Sequence, residues 1–266
     1  MKRRMLMRGK YIVPLDLGGY TGEMSLSFYR KFVGKTEEGR WLATYIGGGG
    51  KKIVVDAGPP DLERSMKYHP DFKWEPLKPE YTLEAQLAKA GVKLEDIELV
   101  ILTHLHWDHV GNVEKFPKAQ FICSAEELRC AFDPIPPLWR GYEALQWGVK
   151  PLFLKVMDRL KTVEMKEQEI VEGVRLIPLP GHTTGSMGVV VETEKGPYVI
   201  SGDAVSKYAN LEGARKDGQT YFLTGVFTDM MAMWKSFERI EGIVGGDFTR
   251  VIPGHEPQVI KKERYP

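Results

Sequence analysis

The 266-residue sequence predicts a layered fold that mixes strands and helices, of the α/β or α+β class. Two observations carry this. Short β-type runs and helical segments alternate in both halves of the chain. No internal repeat, low-complexity tract or linker divides it, so residues 1–266 are expected to form a single domain. The composition agrees. Apolar residues make up 42% and aromatic residues 11%, enough to build a sizeable core, and 27% charged residues are ordinary for a globular protein.

The elements follow in order. Residues 11–17, 24–29, 41–46 and 52–55 read as β-type runs, separated by glycine turns such as Gly18-Gly19 and the run from Gly47 to Gly50. The second turn is a hairpin loop rather than a phosphate loop: Lys52, not Ser or Thr, follows Gly50-Lys51, and no Gly lies five residues before Gly50. Residues 59–79 are rich in Pro and aromatics and show no clean period. A helix is predicted over 82–90, with Leu83, Leu87 and Ala90 on one face and Gly91 closing it. Residues 97–103 (IELVILT) read as a buried strand. Residues 119–122 read as another, leading into a helix with Ser124 as cap and Glu127 at the capping-box position. Residues 133–160 form an aromatic-rich insertion carrying Trp139, Tyr142, Trp147 and Phe153. Strands return at 169–179, 189–191 and 198–201, and a helix at 230–240 and a strand at 250–252 end the pattern.

Charge and cysteines narrow the partners and the compartment. Lys and Arg total 37 against 36 Asp and Glu, so neither nucleic acid nor an acidic membrane is expected as a partner. The start is basic, but its apolar run is only Met5, Leu6 and Met7, too short for a signal peptide. No stretch approaches the ~20 apolar residues of a membrane span. Cys123 and Cys130 are too few for a disulfide scaffold and are expected as reduced, packed thiols in a cytoplasmic protein.

The histidines are distributed unevenly. Three of the six lie in His104-Leu105-His106-Trp107-Asp108-His109, directly after the buried strand. His182 sits in Pro180-Gly181-His182-Thr183 and His255 in Pro253-Gly254-His255-Glu256, each also past a strand. His69 stands apart and reads as an ordinary packed or surface side chain. Clustered imidazoles and a carboxylate beside an apolar strand are costly to bury unpaired, and a metal removes that cost. His104 and His106 can serve one ion, completed by His182. Asp108 and His109 can serve a neighbouring ion, completed by His255. Asp203, in Ile200-Ser201-Gly202-Asp203-Ala204, is the best bridging candidate.

This pattern resembles the complete ligand set of the metallo-β-lactamase superfamily, and Val54-Val55-Asp56-Ala57-Gly58 is similar to its early Asp-x-Gly turn. The resemblance runs from about Tyr11 to Val259. It implies a four-layer αββα sandwich of the α+β class, with the site at one edge between two sheets. It implies two divalent ions, zinc or otherwise iron, manganese or cobalt, with His104, His106 and His182 on one, Asp108, His109 and His255 on the other, and Asp203 bridging. The flavodiiron branch carries Glu where this chain has His106, which disfavours redox di-iron chemistry. Glyoxalase II adds a C-terminal helical domain, not expected here because eleven residues follow His255.

Within the superfamily, the motif from Thr103 to Asn112, the continuation Phe116-Pro117-Lys118-Ala119 and Leu179-Pro180-Gly181-His182-Thr183 look most like N-acyl homoserine lactonases. Those enzymes usually place a Tyr three residues after the bridging Asp. Here Ser206 stands there, with Tyr208 two residues on, and Ser186 replaces a frequent His. The implied activity is hydrolysis of a small-molecule ester, most simply a lactone, by a hydroxide shared between two ions. Asp108 and Asp203 would orient it and shuttle its proton. Tyr208 is a candidate donor to the oxyanion, and Ser206 and Trp107 are candidate substrate contacts. The aromatic insertion is either an apolar wall for an acyl chain, core packing or a homodimer contact. A thioester or phosphodiester substrate, a one-iron oxidoreductase and a metal protein without turnover remain as alternatives.

Overall fold

Strands that are apolar on both faces must be covered on both, and that requirement organises the chain. The computed structural model describes residues 9–213, 218 and 220–266, so Met5, Leu6 and Met7 lie outside the described residues. In chain order the elements are β1 (Tyr11–Glu23), β2 (Thr36–Gly47), β3 (Ile53–Val55), α1 (Leu62–Tyr68), β4 (Lys73–Trp74), α2 (Leu83–Lys89), β5 (Leu99–Ile101), β6 (Gln120–Ser124), α3 (Ala125–Phe132), α4 (Trp139–Tyr142), β7 (Leu160–Val163), β8 (Gln168–Val171), β9 (Val174–Pro178), β10 (Met187–Thr193), β11 (Gly196–Gly202), α5 (Tyr208–Glu212), α6 (Met230–Val244) and β12 (Val251–Pro253). One sheet has seven strands in the order β4-β1-β2-β3-β5-β6-β7, the other five in the order β12-β11-β10-β9-β8.

Alternation along each strand sorts side chains into layers. Ile53 and Val55 of β3, Leu99 and Ile101 of β5, Val189 and Val191 of β10 and Ile200 of β11 meet between the sheets. Their neighbours of opposite parity face outward. Val54 and Val100 pack with Leu83 and Leu87 of α2 and with Phe153. Val190 and Val199 pack with Met233, Phe237, Ile240 and Val244 of α6. The layers therefore run helix, sheet, sheet, helix, the αββα order that the resemblance implies.

Several local expectations change. Residues 24–29 are not a strand. β1 runs on through Gly18-Gly19, absorbing an irregularity between Asp16 and Gly19, and its pairing with β2 ends at Glu23 opposite Thr36. The Glu23 carboxylate then accepts the Ser25 N–H at 2.9 Å and Met24–Leu26 closes a 3₁₀ turn. The expected strand over 169–179 is two strands, β8 and β9, joined at Gly173, whose φ of 75° suits a tight reversal. Residues 59–79 hold α1, whose N-cap Asp61 accepts the Arg64 N–H at 2.9 Å, and the short edge strand β4. Ser124 caps α3 as expected, accepting the Glu127 N–H at 2.9 Å, but the Glu127 carboxylate turns elsewhere.

β3, β5, β9, β11 and β12 end on the same rim, and the loops that follow them carry Asp56, residues 103–109, His182, Asp203 and His255. Among the described residues no helix is long and apolar enough to cross a membrane. Both cysteines are free; Cys123 is buried, and burial pushes its thiol up to about 12.

Phe237 is fully buried beneath the second sheet. Phe237→Ala should lower unfolding free energy by about 3–5 kcal/mol in urea denaturation, whereas exposed Lys235→Ala on the same helix should change it by less than about 0.5 kcal/mol. Equal effects would contradict this layering.

Candidate metal centre

The imidazoles are aimed by what holds their other nitrogen. His109 Nδ1 lies 2.9 Å from Asp56 Oδ2, His182 Nδ1 2.9 Å from the Val226 carbonyl and His255 Nδ1 3.1 Å from the Arg40 carbonyl. His104 Nδ1 lies 3.1 Å from Thr103 Oγ1, whose own hydrogen is spent on the Asp56 carboxylate. Each of these partners accepts from Nδ1–H, so each Nε2 carries the free lone pair. His106 is presented the other way round, with Nδ1 3.0 Å from His182 Nε2.

The ligand atoms fall into two groups. His104, His106 and His182 form one; Asp108, His109, Asp203 and His255 form the other; within each the atoms lie within 4.8 Å of one another. Asp203 joins them. Its Oδ2 is 3.1 Å from His255 Nε2 and 3.7 Å from His182 Nε2, and its Oδ1 is 3.2 Å from His109 Nε2. Asp108 Oδ2 is 3.6 Å from His255 Nε2 and 3.7 Å from His109 Nε2. The structure thus brings together all seven residues expected as ligands.

The donor set suits divalent metal ions. Nε2 of His104 and of His109 and Oδ1 of Asp203 are buried and have no hydrogen-bond partner among the described residues, an arrangement a cation would satisfy. Burial and the neighbouring imidazoles hold His104 and His106 well below the usual histidine range, in the neutral form a cation binds. Burial works against ionised Asp203, but His255 and His109 outweigh it and keep the carboxyl well below its ordinary range.

Two further carboxylates fix the loops. Asp56, in a left-handed conformation with φ 59°, accepts the Thr103 N–H at 2.8 Å and also holds His109. Glu127 accepts from the Leu105 N–H at 2.9 Å, the Tyr142 hydroxyl at 3.0 Å and the Thr183 hydroxyl at 2.6 Å. One fully buried carboxylate therefore ties both halves of the first ligand group to the 133–160 segment; burial pushes its pKa up. Sequence reasoning saw Glu127 only as a helix cap, because the groups it binds are distant in the chain. The same segment touches the motif directly: the Trp107 N–H donates to the Gly141 carbonyl at 2.9 Å.

A cavity of about 270 Å³ opens onto the two groups. Trp107 and Ser206 line it, as the sequence suggested, with Trp41, Phe72, Leu138 and Val226 adding apolar wall. The Ser206 hydroxyl donates to Ser27 Oγ at 3.3 Å. Tyr208 is a correction. It begins α5, its N–H goes to Glu256 at 3.0 Å, and its hydroxyl donates to the Val251 carbonyl at 3.0 Å, away from the cavity. The aromatic segment is also recast: Tyr142 and Phe153 are core, and Pro137, Leu138, Arg140 and Gly141 face the cavity instead. His69 is packed, as read, but it too lines the cavity.

A Cβ at Gly141 would lie 2.9 Å from His106 Nε2. Gly141→Ala should therefore displace His106 and weaken metal binding by about 10–100-fold in a chelator competition, with little change in thermal stability. Unaltered affinity would show that His106 is not a ligand held at this contact.

Residues 41–255 match the Metallo-beta-lactamase superfamily. An N-acyl homoserine lactonase from a Bacillus species is 30% identical over 169 residues, 60% of this chain and 62% of that protein. N-acyl homoserine lactonase AiiB of Agrobacterium fabrum is 27% identical over 186 residues, 66% of this chain and 63% of that protein. The matched regions thus span under two thirds of these relatives' lengths. A crystal structure of a Bacillus thuringiensis AiiA mutant with N-decanoyl-L-homoserine at its active site superposes with a TM-score of 0.74 at 20% identity, covering 96% of each chain, a likeness of fold. On the match across most of its length, this chain belongs to the metallo-β-lactamase superfamily.

Proposed function

We propose that this protein is a metal-dependent hydrolase that opens lactones, using two divalent ions, with zinc as the metal we assign to these imidazole and carboxylate donors. The observation that carries this reading is Asp203, which lies within 3.1–3.7 Å of imidazoles from both ligand groups and lines a largely apolar cavity. The names of the curated relatives support the lactone. The free thiols of Cys123 and Cys130 are in keeping with a reducing compartment, the cytoplasm.

Bound ions would supply Lewis acidity and a water acidified to near neutral pH. The chain's residues do the rest. His104, His106 and His182 hold one position, and Asp108, His109 and His255 the other, with Asp203 between them. The Asp108 and Asp203 carboxylates accept the attacking water's proton and return it to the departing alkoxide, so that lactone and water become a hydroxy acid. Ser206, released from Ser27, donates to the carbonyl oxygen as charge develops there. Trp107 and Leu138 flank the acyl chain and exclude water.

Metal-loaded protein should hydrolyse lactones faster than thioesters or phosphodiesters in a side-by-side assay. kcat/KM should rise about fourfold per added methylene, from ~0.8 kcal/mol each, until the cavity is full. His106→Ala and His255→Ala should each lower turnover by more than about 100-fold while circular dichroism stays unchanged. Faster turnover of a phosphodiester than of any lactone would overturn the assignment.

A further inference from the structure

β1 covers one edge of β2 along its length, but β3 pairs with the other edge only from Thr44 to Ile46. A strand edge without a neighbour leaves N–H and C=O groups in need of partners. For Glu38 and Arg40 the second sheet supplies them. The Arg40 N–H donates to the His255 carbonyl at 3.2 Å, and the Arg40 carbonyl lies 3.1 Å from His255 Nδ1. The Glu38 carbonyl accepts from Lys207 Nζ at 2.6 Å.

Lysine is rarely buried, yet Lys207 is only 4% exposed. Besides Glu38, its Nζ donates to the His255 carbonyl at 2.9 Å. Its backbone is fixed as well. Asn210 Oδ1 accepts the Lys207 N–H at 2.7 Å, and the Asn210 side-chain amide donates to the carbonyls of Ser27 and Phe222 at 2.7 and 2.8 Å. One residue earlier, the Ser206 carbonyl accepts the His255 N–H at 3.1 Å. The ammonium thus ties three stretches together: β2 of the first sheet, the His255 loop of the second, and the loop that begins at Asp203.

This tie bears on one ligand group. Asp108 and His109 come from the first sheet and Asp203 and His255 from the second, so the spacing of that group depends on how the His255 loop docks against β2. Glu127 joins the two sheets for the other group, through the Leu105 amide and the Thr183 hydroxyl. Lys207 does the same here with a positive charge and main-chain acceptors.

We infer that Lys207 is a positioning residue that governs occupancy of the second ion position: by holding the His255 carbonyl against β2 it fixes His255 opposite Asp108 and His109, and its loss empties that position while the first stays filled. This rests on the two-ion reading above and goes beyond it, since no ligand atom is altered. Contacts that orient a ligand from behind are commonly worth about 10–100-fold in metal affinity.

The test titrates zinc into metal-free wild-type protein and Lys207→Met, which keeps the length and apolar stem but has no donor, in competition with a chromophoric chelator. The wild type should take two equivalents. In Lys207→Met the second equivalent should bind about 10–100-fold more weakly and the first about as in the wild type. Anomalous diffraction from crystals of the variant should then show a single zinc, on His104, His106 and His182. Phe237→Ala, destabilised beneath the second sheet, controls for lost stability alone and should bind both equivalents as the wild type does. Wild-type affinity for both equivalents in Lys207→Met, equal weakening of both, or the same second-ion loss in Phe237→Ala would overturn the proposal and leave the two-ion reading intact. A wild type that takes only one equivalent would end both. Should Lys207→Met not fold, NMR of wild-type protein with isotope-labelled lysine decides. Coupling is reciprocal, so the Lys207 Nζ resonance should shift with the second equivalent of zinc and not with the first. A shift with the first alone, or with neither, would refute the link.

Discussion

Five buried imidazoles lie beside the buried Asp108 and the largely buried Asp203 at one rim of this protein, and their burial is the constraint to which the neighbouring structure responds. Taking such groups out of water costs several kcal/mol each when they are left unpaired. The chain meets that cost from one side. Asp56, Thr103 and the carbonyls of Arg40 and Val226 engage four of the five imidazoles through Nδ1, leaving the opposite edges to converge. Those edges are what a cation would satisfy. The two sheets supply different candidate ligands, the 103–109 loop braced by Asp56 from one, His182, Asp203 and His255 from the other. The apolar layer between the sheets therefore does more than stabilise the fold: its docking sets the distances between ligands.

The 133–160 segment is bound into the same arrangement. Glu127 joins the Leu105 amide, Thr183 and Tyr142, so the loop before His106, the loop after His182 and the 133–160 segment are tied to one carboxylate. Gly141 gives the Trp107 amide its acceptor and leaves room for the His106 ring. Behind Trp107, the Arg64–Glu143–His69 chain, with Glu143 and His69 buried, holds the wall of the cavity in register. Ligand placement and pocket shape thus depend on overlapping sets of contacts, as a site requiring sub-ångström placement needs.

The seven candidate ligands were legible because their motifs are dense and each follows a β-type run. Layer order was legible only through the family resemblance; the unbroken apolar run Ile53, Val54 and Val55 agrees with it, because it is covered on both faces. What escaped depended on partners remote in sequence. Nothing beside Glu127 indicates that its carboxylate will leave the helix cap for Leu105, Tyr142 and Thr183. A lone His69 gives no sign of Glu143, seventy-four residues away. Tyr208 was misassigned because residue spacing does not show that α5 begins there and turns the phenol towards Val251. Residues 24–29 alternate like a strand, yet β2 ends opposite Glu23 and offers them no partner.

The shared position of Asp203 is tested most directly by anomalous diffraction from crystals grown with zinc. Two anomalous peaks should flank Asp203, one about 2.0–2.2 Å from nitrogens of His104, His106 and His182 and the other at similar distances from His109 and His255. A single peak in fully loaded crystals, or two peaks with Asp203 bound to neither, would contradict a centre built around that carboxylate.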